Sequence, residues 1–294
     1  MFSAGTIHRK LKYQAAVDAG AVGFLICGPL PDSTVAGSSG RGSEHGIPAM
    51  GIGRDTAALL ARDSKGRRVV RMVIETSEAP AEVRNLVFDM PGNAHEWVVL
   101  SAHIDGHDLA QSAIDNASGL AVVLAVARSL SASTASSQRG LRLALFNAEE
   151  WALTGSAQYV SELTQRERDS IVLNVNVDSV GVGSKLTALN SGFRAIEPFL
   201  LSQAEQARVP LGLYRPLQMN SDHGNFAIAG IPAFRLVAGF NDFAAATRFV
   251  LTAEDTRDKL NADALYRAFR LTRQIVASAL SAPSAEVSAW RYPK

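Results

Sequence analysis

The regular alternation of strand-like and helix-like segments after residue 80 restricts the possible folds more than any other feature of the sequence. Strands are predicted at 84–88, 97–102, 141–146, 171–177 and 231–237, and helices at 116–130, 155–163 and 262–280. The segment 171–177 is a continuous apolar-rich run, which is typical of a strand covered on both faces. This order predicts an α/β fold with a mixed, largely parallel sheet between two layers of helices.

The first 80 residues form a separate, smaller pattern. Helices are predicted at 13–20 and 56–62, and strands at 21–27, 47–52 and 69–75. A stretch rich in glycine, proline and serine at 28–46 is predicted to be a mobile surface loop. Pro80 lies in the best candidate linker, 77–82, so we predict two domains, 1–80 and 81–294.

Composition narrows the classes of partner and compartment. The chain carries 29 Lys and Arg residues against 28 Asp and Glu, which predicts no nucleic-acid partner and no anionic membrane surface. Its single cysteine, Cys27, allows neither an intrachain disulfide nor a cysteine-rich zinc module. The longest apolar runs, at 19–30 and 119–126, are shorter than the roughly 18 residues of a membrane span.

Localisation stays open between two expectations. No apolar signal core follows Met1, which favours the cytoplasm for a complete chain. If the start of a longer precursor is missing, we expect an extracytoplasmic or secreted protein. The sequence does not indicate the oligomeric state.

Acidic side chains and one imidazole follow three neighbouring strands of the predicted sheet. Because reactive groups collect at the carboxyl ends of strands in open α/β sheets, we expect these residues to meet at one edge. The residues are His103, Asp105, Asp115, Glu149, Glu150 and Asp178.

A divalent metal is the simplest way to hold several carboxylates together. Uncompensated carboxylates in one cleft repel each other, and one imidazole with several carboxylates suits zinc, manganese or cobalt better than calcium. Asp105 is placed to accept the second imidazole proton of His103 and fix its tautomer. Taken singly, each residue has an explanation that needs no metal. His103 could be a hydrogen-bonded structural residue, Asp115 a helix cap, and Glu149 a solvated residue in the first turn of a helix. Only a shared metal site explains their joint placement.

Several motifs follow one another in order over about residues 84–280. They are SAHIDGHD at 101–108, AIDNASG at 113–119, LFNAEE at 145–150, NVDSVG at 176–181, SDHGNF at 221–226 and GIP at 230–232. Together these motifs resemble the M28 family of zinc aminopeptidases and carboxypeptidases. The short spacing from His103 to Asp115 is most similar to the carboxypeptidase Q branch. Residues 1–75, with AGAVG at 19–23 and GIPAMG at 46–51, resemble the later part of a protease-associated (PA) domain, so we expect the chain to begin partway through one.

The resemblance implies a zinc-exopeptidase type of three-layer α/β/α sandwich, a peptide substrate and roles for the edge residues. It implies that His103 and Asp178 bind one zinc ion, that Glu150 binds a second, and that Asp115 bridges the two. Glu149 corresponds to the general base, which takes a proton from water and passes it to the leaving amine.

One position departs from the family. The last ligand of the family is a histidine, and the matching stretch LTAEDT at 251–256 has Leu251 there. None of the six histidines, at 8, 45, 95, 103, 107 and 223, follows position 223. Three outcomes remain open: His223 or His107 supplies the missing nitrogen, water completes a weaker site, or one zinc ion binds instead of two.

We expect an exopeptidase, and an aminopeptidase ahead of a carboxypeptidase. The alternatives are a non-catalytic binding module of the same fold and a mononuclear zinc acyl transferase of the glutaminyl cyclase type. A serine hydrolase is disfavoured because the chain has no Gly-x-Ser-x-Gly motif.

Overall fold

The computed structural model describes residues 2–31, 33–38, 46–62, 69–75, 77 and 79–291. It contains a small two-stranded sheet near the N-terminus and a seven-stranded sheet in the rest of the chain. The hydrophobic core is built on the larger sheet, where the central strands are almost completely buried.

The N-terminal segment carries two helices and two parallel strands. Its elements are α1 (Arg9–Asp18), β1 (Phe24–Cys27), β2 (Ala49–Ile52) and α2 (Arg54–Ala61). The prediction of a strand at 69–75 is wrong, because this stretch pairs with no described strand. Its β-branched residues favour an extended backbone but remain exposed, and Val69 is 94% exposed. The predicted loop at 28–46 lies partly outside the described residues.

The large sheet confirms the mixed, largely parallel arrangement. Its strands are β3 (Leu86–Met90), β4 (Trp97–His103), β5 (Gly140–Phe146), β6 (Ile171–Val177), β7 (Leu186–Leu189), β8 (Leu211–Tyr214) and β9 (Ala233–Ala238). They lie in the order β3-β5-β4-β6-β9-β7-β8. The four central strands β5, β4, β6 and β9 are parallel, whereas β3 and β7 are antiparallel to their inner neighbours. Every residue of β6 is buried, as its apolar run predicts.

Helices flank the sheet and complete the predicted α/β sandwich. They are α3 (Ser118–Thr134), α4 (Thr154–Glu162), α5 (Gln165–Ser170), α6 (Glu197–Ala207), α7 (His223–Ile228), α8 (Ala262–Ser281) and α9 (Ser284–Ala289). Helix α3 packs on α8, and both contact β4 and β6, while α7 contacts α4, β6 and β9. The buried stripe of α8 includes Leu271, Ile275 and Ala279, which follow helical spacing.

The stretch Ala113–Thr134 is long and apolar enough to cross a membrane by length and composition, with a mean hydropathy of 1.3. In the structure its apolar side chains Val122, Val123 and Val126 are buried, and α3 packs against β4, β5 and α8. The same apolarity is therefore explained by its place in the core of the fold.

Arg139 is a fully buried cation just before β5. Its Nη1 donates to the carbonyl oxygens of Ala282, at 2.5 Å, and Ala279, at 3.3 Å. Its Nε lies 2.8 Å from a carboxylate oxygen of Glu96. Cations stabilise the carboxyl end of a helix, so Arg139 fixes the end of α8 against the sheet.

The N-terminal segment rests on loops at the carboxyl edge of the large sheet. The N–H of Ala36 donates to the carbonyl of Leu251 at 2.8 Å, and the N–H of Asn241 donates to the carbonyl of Phe2 at 2.7 Å. The Asn241 side chain accepts a further bond from the N–H of Ala4 at 2.8 Å. These contacts bring the segment over the edge where the polar residues collect.

Candidate metal centre

Three of the predicted residues form a tight buried cluster. His103 ends β4, Asp178 follows β6, and Asp115 lies in an irregular π-helical turn, Ala113–Ala117, before α3. One ligand atom from each lies within 4.8 Å of the others. His103 Nε2 is 3.0 Å from Asp115 Oδ1 and 4.0 Å from Asp178 Oδ1.

The strand register explains why these side chains meet. Ser101 of β4 pairs with Asn176 of β6 in parallel register, so His103 and Asp178, each two residues further on, reach the edge at the same level. Both are almost completely buried. An imidazole and two carboxylates at this spacing can supply three ligands and leave a further position open, as catalytic zinc sites do. The residues present therefore fit a divalent transition metal.

Asp105 links the loops that follow β4 and β5. His103 Nδ1 lies 3.4 Å from the Asp105 carboxylate and 3.1 Å from its carbonyl oxygen. The same carboxylate accepts the backbone N–H groups of Glu149 and Glu150, each at 3.1 Å. Asp105 thus lies beside the imidazole nitrogen that faces away from the cluster and also holds the Glu149-Glu150 backbone.

Arg235, on β9, balances the charge of Asp178. Its Nη2 lies 3.0 Å from Asp178 Oδ1, and hydroxyl groups of Ser221 and Ser179 donate to the same carboxylate at 2.5 and 2.9 Å. Sequence reasoning did not identify Arg235. The signal was present, because Arg235 is the one charged residue in the apolar run 231–237.

Asp255 was also missed, although it lies in the quoted stretch 251–256. Its carboxylate is fully buried and accepts the backbone N–H groups of Ile114 at 2.6 Å and Asp115 at 3.1 Å. A buried carboxylate that accepts two backbone donors fixes the backbone that carries them. Asp255 therefore positions the turn that presents Asp115.

Asn116 and Gly119 fix the other side of the same turn. The Asn116 side chain donates to the carbonyl of Val177 at 3.0 Å and accepts the N–H of Gly119 at 2.9 Å. A Cβ on Gly119 would lie 2.2 Å from both Asn116 Oδ1 and the Val177 oxygen, so a side chain does not fit at this position. This close approach connects the turn to the end of β6.

Glu149 and Glu150 lie outside the three-residue cluster but line the same cleft as Asp115. The cleft has a volume of about 740 Å³. Glu149 is 9% exposed, and Glu150 Oε1 is buried without a hydrogen-bond partner among the described residues. A buried carboxylate oxygen in this state is costly unless a cation faces it.

The other predicted positions do not join the cluster. His107 lines a smaller cavity of about 200 Å³ with His103 and Asp105, and His223 is fully buried at the start of α7. Leu251 is 2% exposed, packs in the core and lines the large cleft, where it offers no donor atom. Among the described residues, His103 is the histidine that joins a group able to hold a metal.

The electrostatics of the cleft reflect crowded acids. Burial raises the pKa of Glu149 well above its usual value, and burial together with Asp115 raises the pKa of Glu150 to about 8. Burial works to lower the pKa of His103, but Glu149, Asp105 and Asp115 raise it well above its usual value. After burial, repulsion between neighbouring carboxylates is a further cause of the raised pKa values of Glu149 and Glu150. A bound cation would reduce this repulsion, as a bound proton does.

Two known family profiles match the chain. The profile of peptidase family M28 matches residues 85–276, and the profile of the PA domain matches residues 1–60. The chain belongs to peptidase family M28. The M28 profile spans the large sheet and every residue of the metal cluster, while the PA profile spans α1 to β2 and most of α2.

Relatives of this M28 chain are named aminopeptidases. Leucine aminopeptidase 2 of Trichophyton equinum is 31% identical over 175 residues, which cover 58% of the chain and 34% of the relative. An aminopeptidase of Bacillus subtilis (strain 168) is 24% identical over 286 residues, or 95% of the chain and 62% of the relative. The M28 chain thus spans about a third of the length of the leucine aminopeptidase.

Solved structures confirm the fold. A zinc aminopeptidase from Bacillus subtilis superposes with a TM-score of 0.72 at 24% identity, covering 98% of the M28 chain and 71% of that structure. A glutaminyl cyclase of an Acidobacteriales bacterium reaches a TM-score of 0.53 at 20% identity, covering 67% of the chain and 73% of that structure. At these identities the similarity concerns architecture, and it extends over more of the chain for the aminopeptidase.

Proposed function

We propose that this M28 chain is a zinc-dependent exopeptidase that removes residues from the amino end of peptides. The observation that carries the proposal is the buried cluster of His103, Asp115 and Asp178, of which Asp115 lines a cleft of about 740 Å³. The choice of aminopeptidase over carboxypeptidase is supported by the names of the relatives.

In this proposal His103, Asp115 and Asp178 hold one zinc ion. Zinc, when bound, acts as a Lewis acid that polarises the substrate carbonyl and lowers the pKa of water. A second ion would have Asp115 and Glu150 but no histidine, because Leu251 has no donor atom. The second position is therefore short of one ligand.

Glu149 is proposed as the general base. It lies in the cleft, and its backbone is held by Asp105, so its side chain starts from a fixed point beside the cluster. Its carboxylate takes a proton from the attacking water and donates it to the nitrogen of the leaving amine. Glu150, one residue further along, has its backbone held by the same carboxylate and faces the second position.

The surrounding residues keep the cluster in position. Asp105 lies beside the second imidazole nitrogen of His103 and fixes its orientation, which is the usual role of a carboxylate behind a metal-binding histidine. Arg235 and Ser221 hold the Asp178 carboxylate. Asp255 holds the backbone of Asp115. Each of the three cluster residues thus has its own support.

The proposal is tested by measuring zinc content and hydrolysis in the same preparations. Wild type, Asp115→Ala and Glu149→Gln are dialysed against buffered zinc, analysed by mass spectrometry for bound metal, and assayed on aminoacyl-nitroanilides and dipeptides. We expect at least one zinc per wild-type chain and a large loss of zinc in Asp115→Ala. Glu149→Gln should keep its zinc while kcat falls about a hundredfold to ten-thousandfold.

Glu162→Gln, an exposed acid on α4, is the matched control and should behave as wild type. Wild-type protein that binds zinc but cleaves no substrate in the panel, in an assay validated with a known aminopeptidase, would contradict the proposed activity. Wild-type protein that binds no zinc would indicate the non-catalytic alternative.

A further inference from the structure

A cation from the N-terminal segment reaches the side of the cleft where the second metal lacks a ligand. Arg9 is the first residue of α1, and it lines the cleft together with Asp115, Glu149, Glu150 and Leu251. The segment that carries Arg9 matches the PA domain, whereas the acids belong to the M28 part. The cleft therefore combines residues from both parts of the chain.

Hydrogen bonds anchor the Arg9 guanidinium next to Leu251. Its Nη1 donates to the carbonyl of Ala36 at 2.8 Å, and the N–H of Ala36 donates to the carbonyl of Leu251 at 2.8 Å. Gly37 is just as close, because a Cβ built on it would lie 1.3 Å from Arg9 Nη1. The backbone at Ala36 and Gly37 thus seats the guanidinium beside the residue that replaces the histidine ligand.

The charges around Arg9 are the acids of the second metal position. Burial lowers the pKa of the Arg9 guanidinium, and the carboxylates that act in the opposite direction are Glu150, Glu149 and Asp115. Burial lowers the pKa of His8, which also lines the cleft, and the neighbouring cations Arg9 and Lys10 lower it further. Of His8 and Arg9, Arg9 is the one on which the acids of the cleft act.

We propose that Arg9 supplies the positive charge of the second metal, so that the active site works with one zinc ion and one guanidinium. The inference rests on the zinc site proposed above. A guanidinium is charged near neutral pH, and its planar N–H groups match carboxylates. Arg235 already pairs with Asp178, and Arg9 lines the same cleft as the remaining acids, Glu149 and Glu150.

The absence of a histidine at position 251 then has a physical explanation. A dication and a guanidinium next to the same two acids would repel each other, and the repulsion is strong at short range in a poorly solvated cleft. An apolar side chain at 251 leaves room for the arginine and removes a ligand that would recruit the competing ion. Leu251 and Arg9 thus act as a pair.

The test compares bound zinc in wild type, Arg9→Ala, Leu251→His and the double variant Arg9→Ala/Leu251→His. We expect one equivalent in wild type and two in the double variant. In Leu251→His alone, the second equivalent should bind at least about tenfold more weakly than in the double variant, because Arg9 still repels it. Lys12→Ala removes an exposed charge from the same helix and should leave the zinc count unchanged.

Two equivalents of tightly bound zinc in wild type would overturn the inference, as would equal second-site affinity in Leu251→His and the double variant. Wild type without any zinc would instead be a failure of the proposed zinc site. If histidine at 251 prevents folding, judged by circular dichroism, titration with Co²⁺ of wild type and Arg9→Ala decides. Arg9→Ala should then gain a second, weaker absorbing site, and its absence would overturn the inference.

Discussion

Replacing Asp255 tests whether the turn that presents Asp115 is held by a buried carboxylate. In Asp255→Ala, the backbone N–H groups of Ile114 and Asp115 lose their acceptor and stay buried. A hydrogen bond to a charged group contributes about 1.5 to 3 kcal/mol, so the metal-free protein should lose about 3 kcal/mol of unfolding free energy even at the lower value. Asp255→Asn keeps one acceptor oxygen and should lose about half as much.

Urea unfolding of the metal-free proteins, followed by circular dichroism, gives the stability change, and competition with a chromogenic chelator gives the zinc affinity. Zinc affinity should fall about tenfold to a hundredfold in Asp255→Ala, because a residue that orients a ligand is removed. Asp258→Ala is the control, since Asp258 is exposed and lies three residues after Asp255. Unfolding and zinc affinity of Asp255→Ala equal to those of wild type would refute the role given to Asp255.

Two further predictions concern buried groups. Burial and Arg235 lower the pKa of His223 to about 3. His223 therefore binds a proton below about pH 6.5 in the unfolded chain but stays neutral in the folded chain. Stability should fall by about 1.4 kcal/mol per pH unit below pH 6.5, and His223→Gln should lose this slope in urea unfolding from pH 7 to 4.5; parallel profiles would contradict it. Arg139→Met, which breaks the bonds to Ala282 and the pair with Glu96, should lower the unfolding free energy by about 3 kcal/mol in the same measurement at pH 7, and a loss below about 1 kcal/mol would show that the buried pair matters little.

Five of the seven strands of the large sheet were predicted from local patterns, whereas the short strands β7 and β8 were not. The boundaries of β6 are the predicted ones, 171–177, since the run begins and ends with apolar residues and is flanked by the polar residues Ser170 and Asp178. The prediction of a strand at 69–75 was wrong for a different reason. Its β-branched residues carry the same local preference, but whether a partner strand lies beside them depends on tertiary contacts that no local pattern contains.

The metal cluster was predictable from topology, and its supports were not. The carboxyl ends of parallel strands lie at the same edge of a sheet, so the residues at the ends of β4 and β6 were expected to meet there. Arg235 and Asp255 act through contacts between segments far apart in the chain, at Asp178 and at Asp115, and spacing along the sequence does not encode such contacts. Arg9 is more remote still, because it reaches the cleft from the other part of the chain.

The seating of Arg9 against Ala36 and of Ala36 against Leu251 joins two parts of one polypeptide at a single cleft. In the two proposals above, the M28 part carries the zinc ligands and the N-terminal segment carries the second positive charge. The cleft is therefore complete only after both parts have folded and docked. On these proposals, we expect a half-folded chain to bind zinc without the charge of Arg9 and to reach full peptidase activity only after both parts have docked.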